Sequence, residues 1–78
     1  MSVQQFTRID PEQNVRRWYT IYCGPTLFGD WGIVRSWGRI GSNQSQRLIQ
    51  QFPTAAEARA EVESQTQRRL KRGYTIRT

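Results

Sequence analysis

The sequence predicts an α+β fold, an antiparallel β-sheet of four to five strands with one α-helix, at about residues 54–72, packed on one face. Three observations predict it. Four segments rich in β-branched and aromatic residues are separated by short clusters of turn residues. After Pro53 the pattern changes once, from strand-like to helical spacing. The connections between strands are too short for the crossovers that parallel strands need. All of residues 1–78 reads as a single domain, and a chain of this length buries only about 60–65% of its unfolded surface. That leaves little room for a deep catalytic cleft.

Each element has its own signal. "VQQFTRI" (3–9) alternates loosely and reads as a strand, placed at an edge. "DPEQN" (10–14) is a turn, opened by Asp-Pro and closed by Asn14. "VRRWYTIYC" (15–23) is a strand by composition. "GPTLFGD" (24–30) is a loop whose Leu27 and Phe28 are expected to fold back onto the core. "WGIVRSWGRI" (31–40) is the third strand, "GSNQS" (41–45) a turn and "QRLIQQF" (46–52) a further strand. Thr54 with Glu57 three residues on is a capping box. Ala55, Ala58, Val62, Thr66 and Leu70 fall on one narrow stripe of small side chains, so the helix should lie close on its sheet. Gly73 stops it, and "YTIR" (74–77) is placed to pair as a last short strand.

Charge narrows the function classes. Twelve basic residues face six acidic ones, a net charge of +6, and eleven of the twelve are arginine, with Lys71 the exception. Lysine would serve solubility equally well. Arginine adds a planar fork that matches phosphate and stacks on rings, so the balance points to a polyanion, above all nucleic acid. Cys23 stands alone, which excludes an intrachain disulfide and suits a buried thiol. "MSVQQFTRID" has no apolar run of the signal-peptide kind. No stretch approaches the ~20 apolar residues of a membrane span, so a cytoplasmic chain with no membrane partner is expected.

Enzyme chemistry finds few candidates. There is no histidine, hence no usual general base or metal ligand, and no phosphate loop of P-loop spacing. Glu57 serves as a cap, Glu61 is expected to face water, and Asp10 and Asp30 belong to turns. No catalytic residue, metal or cofactor is expected.

Binding chemistry finds better ones. Along the third strand the even positions Gly32, Val34, Ser36, Gly38 and Ile40 are small or apolar, the face expected under the helix. The odd positions Trp31, Ile33, Arg35, Trp37 and Arg39 grow polar toward the strand's end. An exposed Trp37 would stack on a base or sugar at ~1–3 kcal/mol per base, with Arg35 and Arg39 reaching phosphates. A core Trp37 with arginines snorkelling around it is the other reading. "QRRLKRG" puts Arg68, Arg69, Lys71 and Arg72 at the helix C-terminus. Two such cations complement the helix dipole; the surplus is better explained by a phosphate site. Arg16 and Arg17 are adjacent and point to opposite faces, so at most one joins any patch.

"RSWGRIG" (35–41) closely resembles the signature of the WGR domain, the Trp-Gly-Arg standing at Trp37, Gly38 and Arg39. "DPEQNVRRWY" (10–19), "TLFGDWGIVRSWGRIG" (26–41) and "KRGY" (71–74) are similar to further family segments in the same order, so the resemblance covers residues 9–76. It implies antiparallel strands with one helix and an association with nucleic acid. In poly(ADP-ribose) polymerases the domain sits near DNA ends, its tryptophan packing on a terminal sugar. By that match Trp37 is the stacking residue and Arg39 a phosphate or partner-domain contact. Lys71 is a basic contact near the helix end, and Asn14 the strand-entry asparagine. Gly38 and Gly41 are the motif's structural glycines. No transferase, helical regulatory or zinc-finger segment lies within these residues, so transferase activity is not expected. Molybdate-regulator-like bacterial proteins also carry the domain.

The lead expectation is a non-enzymatic module binding nucleic acid, DNA first, at ends, nicks or unpaired nucleotides. Arg35, Arg39, Arg69, Lys71 and Arg72 hold phosphates, Trp37 stacks, and sequence specificity is low. With about four to six phosphates neutralised, log K should fall against log salt with a slope of roughly −4 to −5. The rival is a protein-interaction module anchored by Leu27, Phe28 and Trp31. A third reading is single-stranded RNA on the same tryptophan.

Overall fold

The structure, a computed structural model, describes residues 2–77. Five strands form one antiparallel sheet: β1 (Ser2–Asp10), β2 (Val15–Pro25), β3 (Trp31–Arg39), β4 (Ser45–Phe52) and β5 (Thr75–Arg77), in the order β4-β3-β2-β1-β5. The helix α1 (Ala55–Lys71) leaves one edge strand, crosses a single face and delivers the chain to the other edge. The predicted meander, helix and closing short strand are all present. The strand 3–9 expected at an edge is interior, because β5 pairs with its free side through Phe6 and Ile76.

Turn chemistry sets the register. Pro11–Gln13 make one turn of 3-10 helix, and Asn14 closes it in the left-handed region at φ 55°. That tight connection puts Asp10 opposite Val15 and runs β1 against β2 without a break to Ser2 opposite Cys23. β3 likewise pairs β2 from Trp31 to Arg39 with no bulge, despite Gly32 and Gly38.

The register corrects the assignment of faces on β3. The odd positions lie under the helix, not the even ones. Ile33 is fully buried there, beside Cys23 on β2, and Phe6, Tyr19, Ile21, Ala58 and Tyr74 complete the core. Burying Phe6, Ile21 and Ile33 contributes about 1.5–3 kcal/mol each. The glycines serve the open face instead. A Cβ on Gly38 would stand 3.1 Å from Trp18 Nε1, and one on Gly32 would stand 3.1 Å from Thr26 Cγ2.

The helix starts as expected, with Thr54 Oγ1 accepting from the Glu57 amide, and ends at Gly73 with φ 89°. Its buried stripe runs otherwise. Ala58 and Gln65 are buried and Arg69 is half-buried, whereas Leu70 is exposed. Glu61 does not face water freely; it is half-buried and accepts a hydrogen bond from Gln65 Nε2 at 2.8 Å. Cys23 is a buried free thiol. Among the described residues no helix is long and apolar enough to cross a membrane.

Candidate nucleic-acid interface

The site grows from two rows across the helix-side face of the sheet. One row is aromatic: Phe6 on β1, Tyr19 on β2 and Trp37 on β3 are successive cross-strand partners. Tyr19 stacks on Trp37 with centroids 5.9 Å apart and rings 17° from parallel, and meets Phe6 edge-on at 6.2 Å. The next row, one pleat beyond, is Arg8, Arg17 and Arg39, again in direct register. Like charges directly opposite on a sheet destabilise it. A row of this kind is costly to the free protein and useful when an anion lies across it.

The helix completes the enclosure. Its last turns carry Arg69 over the Tyr19 ring, 4.5 Å from the centroid, and within 5.6 Å of the Tyr74 centroid. From below, Arg35 Nη1 donates to Tyr19 Oη at 3.1 Å. Among the described residues, the Nε groups of Arg35 and Arg69 are buried and meet no hydrogen-bond partner. Together these elements bound a hollow of about 580 Å³ with six arginines in its lining, Arg8, Arg17, Arg35, Arg39, Arg69 and Arg72, and among the described residues no carboxylate. A concave wall of one sign focuses the field on its centre. No group of three or more His, Cys, Asp or Glu that could hold a metal ion occurs among the described residues.

The expected site residues divide. Arg35, Trp37, Arg39, Arg69 and Arg72 all line this hollow. Trp37 is half-buried and packed on the core through Tyr19. Asn14 holds Arg39 in place: Arg39 Nη2 lies 3.4 Å from Asn14 Oδ1 and Nη1 3.5 Å from its carbonyl. Lys71 is exposed on the last helical turn and does not line the hollow. Gly41 turns the chain after β3 at φ 87°. Of the adjacent pair, Arg17 joins the patch and Arg16 does not. Arg8, Arg17 and Tyr74 join the site without a signal in the sequence: strand register brings in Arg8 and Arg17, and Tyr74 arrives between the helix end and β5.

The β2–β3 hairpin tip departs from expectation. Leu27 is 100% exposed and Phe28 87%, so neither folds back on the core. The loop is nonetheless tied: Thr26 Oγ1 donates to the Asp30 carboxylate and accepts from the Phe28 amide, and the Thr26 amide bonds to Asp30 O at 2.9 Å. Trp31 is not part of the free tip. It is half-buried against the core with Arg59 over its ring at 5.8 Å.

The family described as "WGR domain" matches residues 3–78. The chain belongs to the WGR domain family. That family is linked in general to nucleic-acid binding. This WGR domain is similar to the uncharacterized protein y4dW of Sinorhizobium fredii (strain NBRC 101917 / NGR234), with 36% identity over 70 residues, 90% of this chain. The chain spans about a third of that relative, 34% of its length. No solved structure matches the domain closely enough to count as related.

Proposed function

We propose that this WGR domain is a non-catalytic DNA-binding module that holds backbone phosphates in the arginine hollow. The observation that carries the reading is the set of six arginines lining one hollow, with no carboxylate there among the described residues. A folding role would favour mixed charges there. Phosphate explains the surplus, since each guanidinium presents a planar fork of donors that matches it. Arg8, Arg17 and Arg39 run in line across three strands, a track for a phosphodiester chain. Phosphate contacts fix position and carry no base information, so binding through this hollow is independent of sequence. Trp37, at the wall, packs its free edge on a terminal or unpaired nucleotide. Lys71 supplies an outlying contact.

The test is fluorescence anisotropy with a blunt duplex and an end-closed dumbbell of equal length over a salt series. If all six lining arginines meet phosphates, log K falls against log salt with a slope of about −5. A preference for free ends that weakens in Trp37→Phe supports the packing role, and Phe keeps the stack on Tyr19. A folded protein that binds neither DNA at 100 mM salt, on the order of a 10 Å Debye length, overturns the proposal. A protein-partner reading then takes its place, favoured by the exposed Leu27 and Phe28 on their tied loop.

A further inference from the structure

Trp37 separates two hollows, and the second is chemically unlike the first. On the side away from Arg69, Trp37 and Arg39 border a space closed by Ser42, Asn43, Gln44, Ser45 and Gln46. Every residue of the segment 42–46, the turn and the start of β4, is uncharged and carries a hydroxyl or a carboxamide. We infer that this hollow takes an unpaired nucleobase, read at its edge by the side-chain amides of Asn43, Gln44 and Gln46 beside Trp37. The inference rests on the DNA-binding reading above and adds to it a base-reading subsite.

Three features support it. First, the chemistry fits a base and not a phosphate: amides offer a donor and an acceptor together, which is what base edges present, whereas phosphate calls for cations. Second, the fold places one of these amides. Gln46 is the direct cross-strand partner of Trp37, so its side chain stands next to the indole. Third, the loop is held. The Gln44 amide donates to Ser42 Oγ at 3.0 Å and the Ser42 amide to Arg39 O at 3.1 Å. The bareness of Gly38 admits the chain here, since a Cβ on it would sit 3.0 Å from Gln44 O. A paired base, even at a duplex end, keeps one face stacked and its Watson–Crick edge engaged, so a hollow that takes a whole base takes an unpaired nucleotide, its phosphates along Arg39 and Arg17. Asn and Gln match the N6/N7 edge of adenine best, which makes adenine the preferred base.

The test uses DNA hairpins with one stem and a single unpaired terminal nucleotide: adenine, thymine or an abasic residue, in separate 3′ and 5′ series. Phosphate number is constant within a series. The protein is compared with the triple variant Asn43→Ala, Gln44→Ala, Gln46→Ala, whose folding is checked by circular dichroism. The wild type should bind the adenine hairpin roughly five- to tenfold more tightly than the abasic one in at least one series, with thymine between. The variant should bind adenine and thymine alike, with its salt slope unchanged. Equal wild-type affinity for all three hairpins in both series overturns the subsite and leaves the phosphate reading standing. So does full retention of the adenine preference in the variant. Failure to bind any hairpin removes both.

Discussion

Replacing Arg17 with glutamine should stabilise this protein and weaken its grip on DNA at the same time. Arg17 is the middle of the cross-strand row, with Arg8 on one side and Arg39 on the other. Removing its charge abolishes two like-charge pairs. Such pairs cost ~0.2–1 kcal/mol each, and Arg17 and Arg39 are exposed, so solvent screening favours the lower half of that range. The expected gain is about 0.4–1 kcal/mol, or ~2–6 °C in Tm for a domain of this size. It should shrink in 1 M salt, where the Debye length is only about 3 Å. Glutamine keeps part of the aliphatic stem, so little packing is lost. In the DNA titration one fewer phosphate contact should make the salt slope shallower by ~0.9. The assays are thermal melts at low and high salt beside anisotropy on the same preparation. A lower Tm at low salt would show Arg17 to be a structural residue. An unchanged slope would show that it meets no phosphate. Either result refutes the reasoning, because it requires the two effects to have opposite sense.

Other substitutions probe the frame and the floor of the site. Gly38→Ala places a methyl group 3.0 Å from Gln44 O and 3.1 Å from Trp18 Nε1; a loss of about 1–3 kcal/mol is expected in urea unfolding, with a shift in tryptophan emission as Trp18 moves. Tyr19→Phe keeps the ring in its stack but deletes the acceptor for Arg35. It should cost ~0.5–1.5 kcal/mol and lower DNA affinity with the salt slope intact, because the charge stays and only its placement loosens. Leu27→Ser with Phe28→Ser alters two exposed side chains at the hairpin tip; stability should stay within about 0.5 kcal/mol and DNA binding should not change.

Much of the fold was legible because local signals agreed. Thr54 and Glu57 marked the helix start, Gly73 its end, and the Asp10–Asn14 turn joined two strands of clear composition. The face of β3 was misread for a physical reason. Small residues at even positions suggested a close-packed helix, but the close partners of Gly38 and Gly32 are Trp18 and Thr26 on the open face. The information that decides parity lay in the neighbouring strand. Tyr19, Ile21 and Cys23 are its buried apolar set, and all three are odd, as are their partners Trp37, Arg35 and Ile33. Arg8 was invisible for the same reason, since nothing ties it to Arg39 until two registers are known.

The phase of the helix was misjudged in a more instructive way. Two stripes share Ala55, Ala58 and Val62 and then diverge, one through Thr66 and Leu70, the other through Gln65 and Arg69. Counting apolar residues selects the first. In the C-terminal half of α1 the structure buries Gln65 and leaves Leu70 exposed. There the surface beneath is the face of Tyr19, which a guanidinium covers as well as a methyl group does and with cation–π attraction besides. Tyr19 is thereby shared. Its ring is core to Phe6 and Tyr74, floor to the hollow, and support for Trp37, and its hydroxyl fixes Arg35. Two of the six lining arginines therefore lose little freedom when a phosphate arrives, since they are ordered by a residue that the fold needs anyway. An arginine surface built this way differs from a merely basic one. Its charge is anchored to the core, so affinity should respond to changes beneath the arginines, at Tyr19, as well as to changes in the arginines themselves.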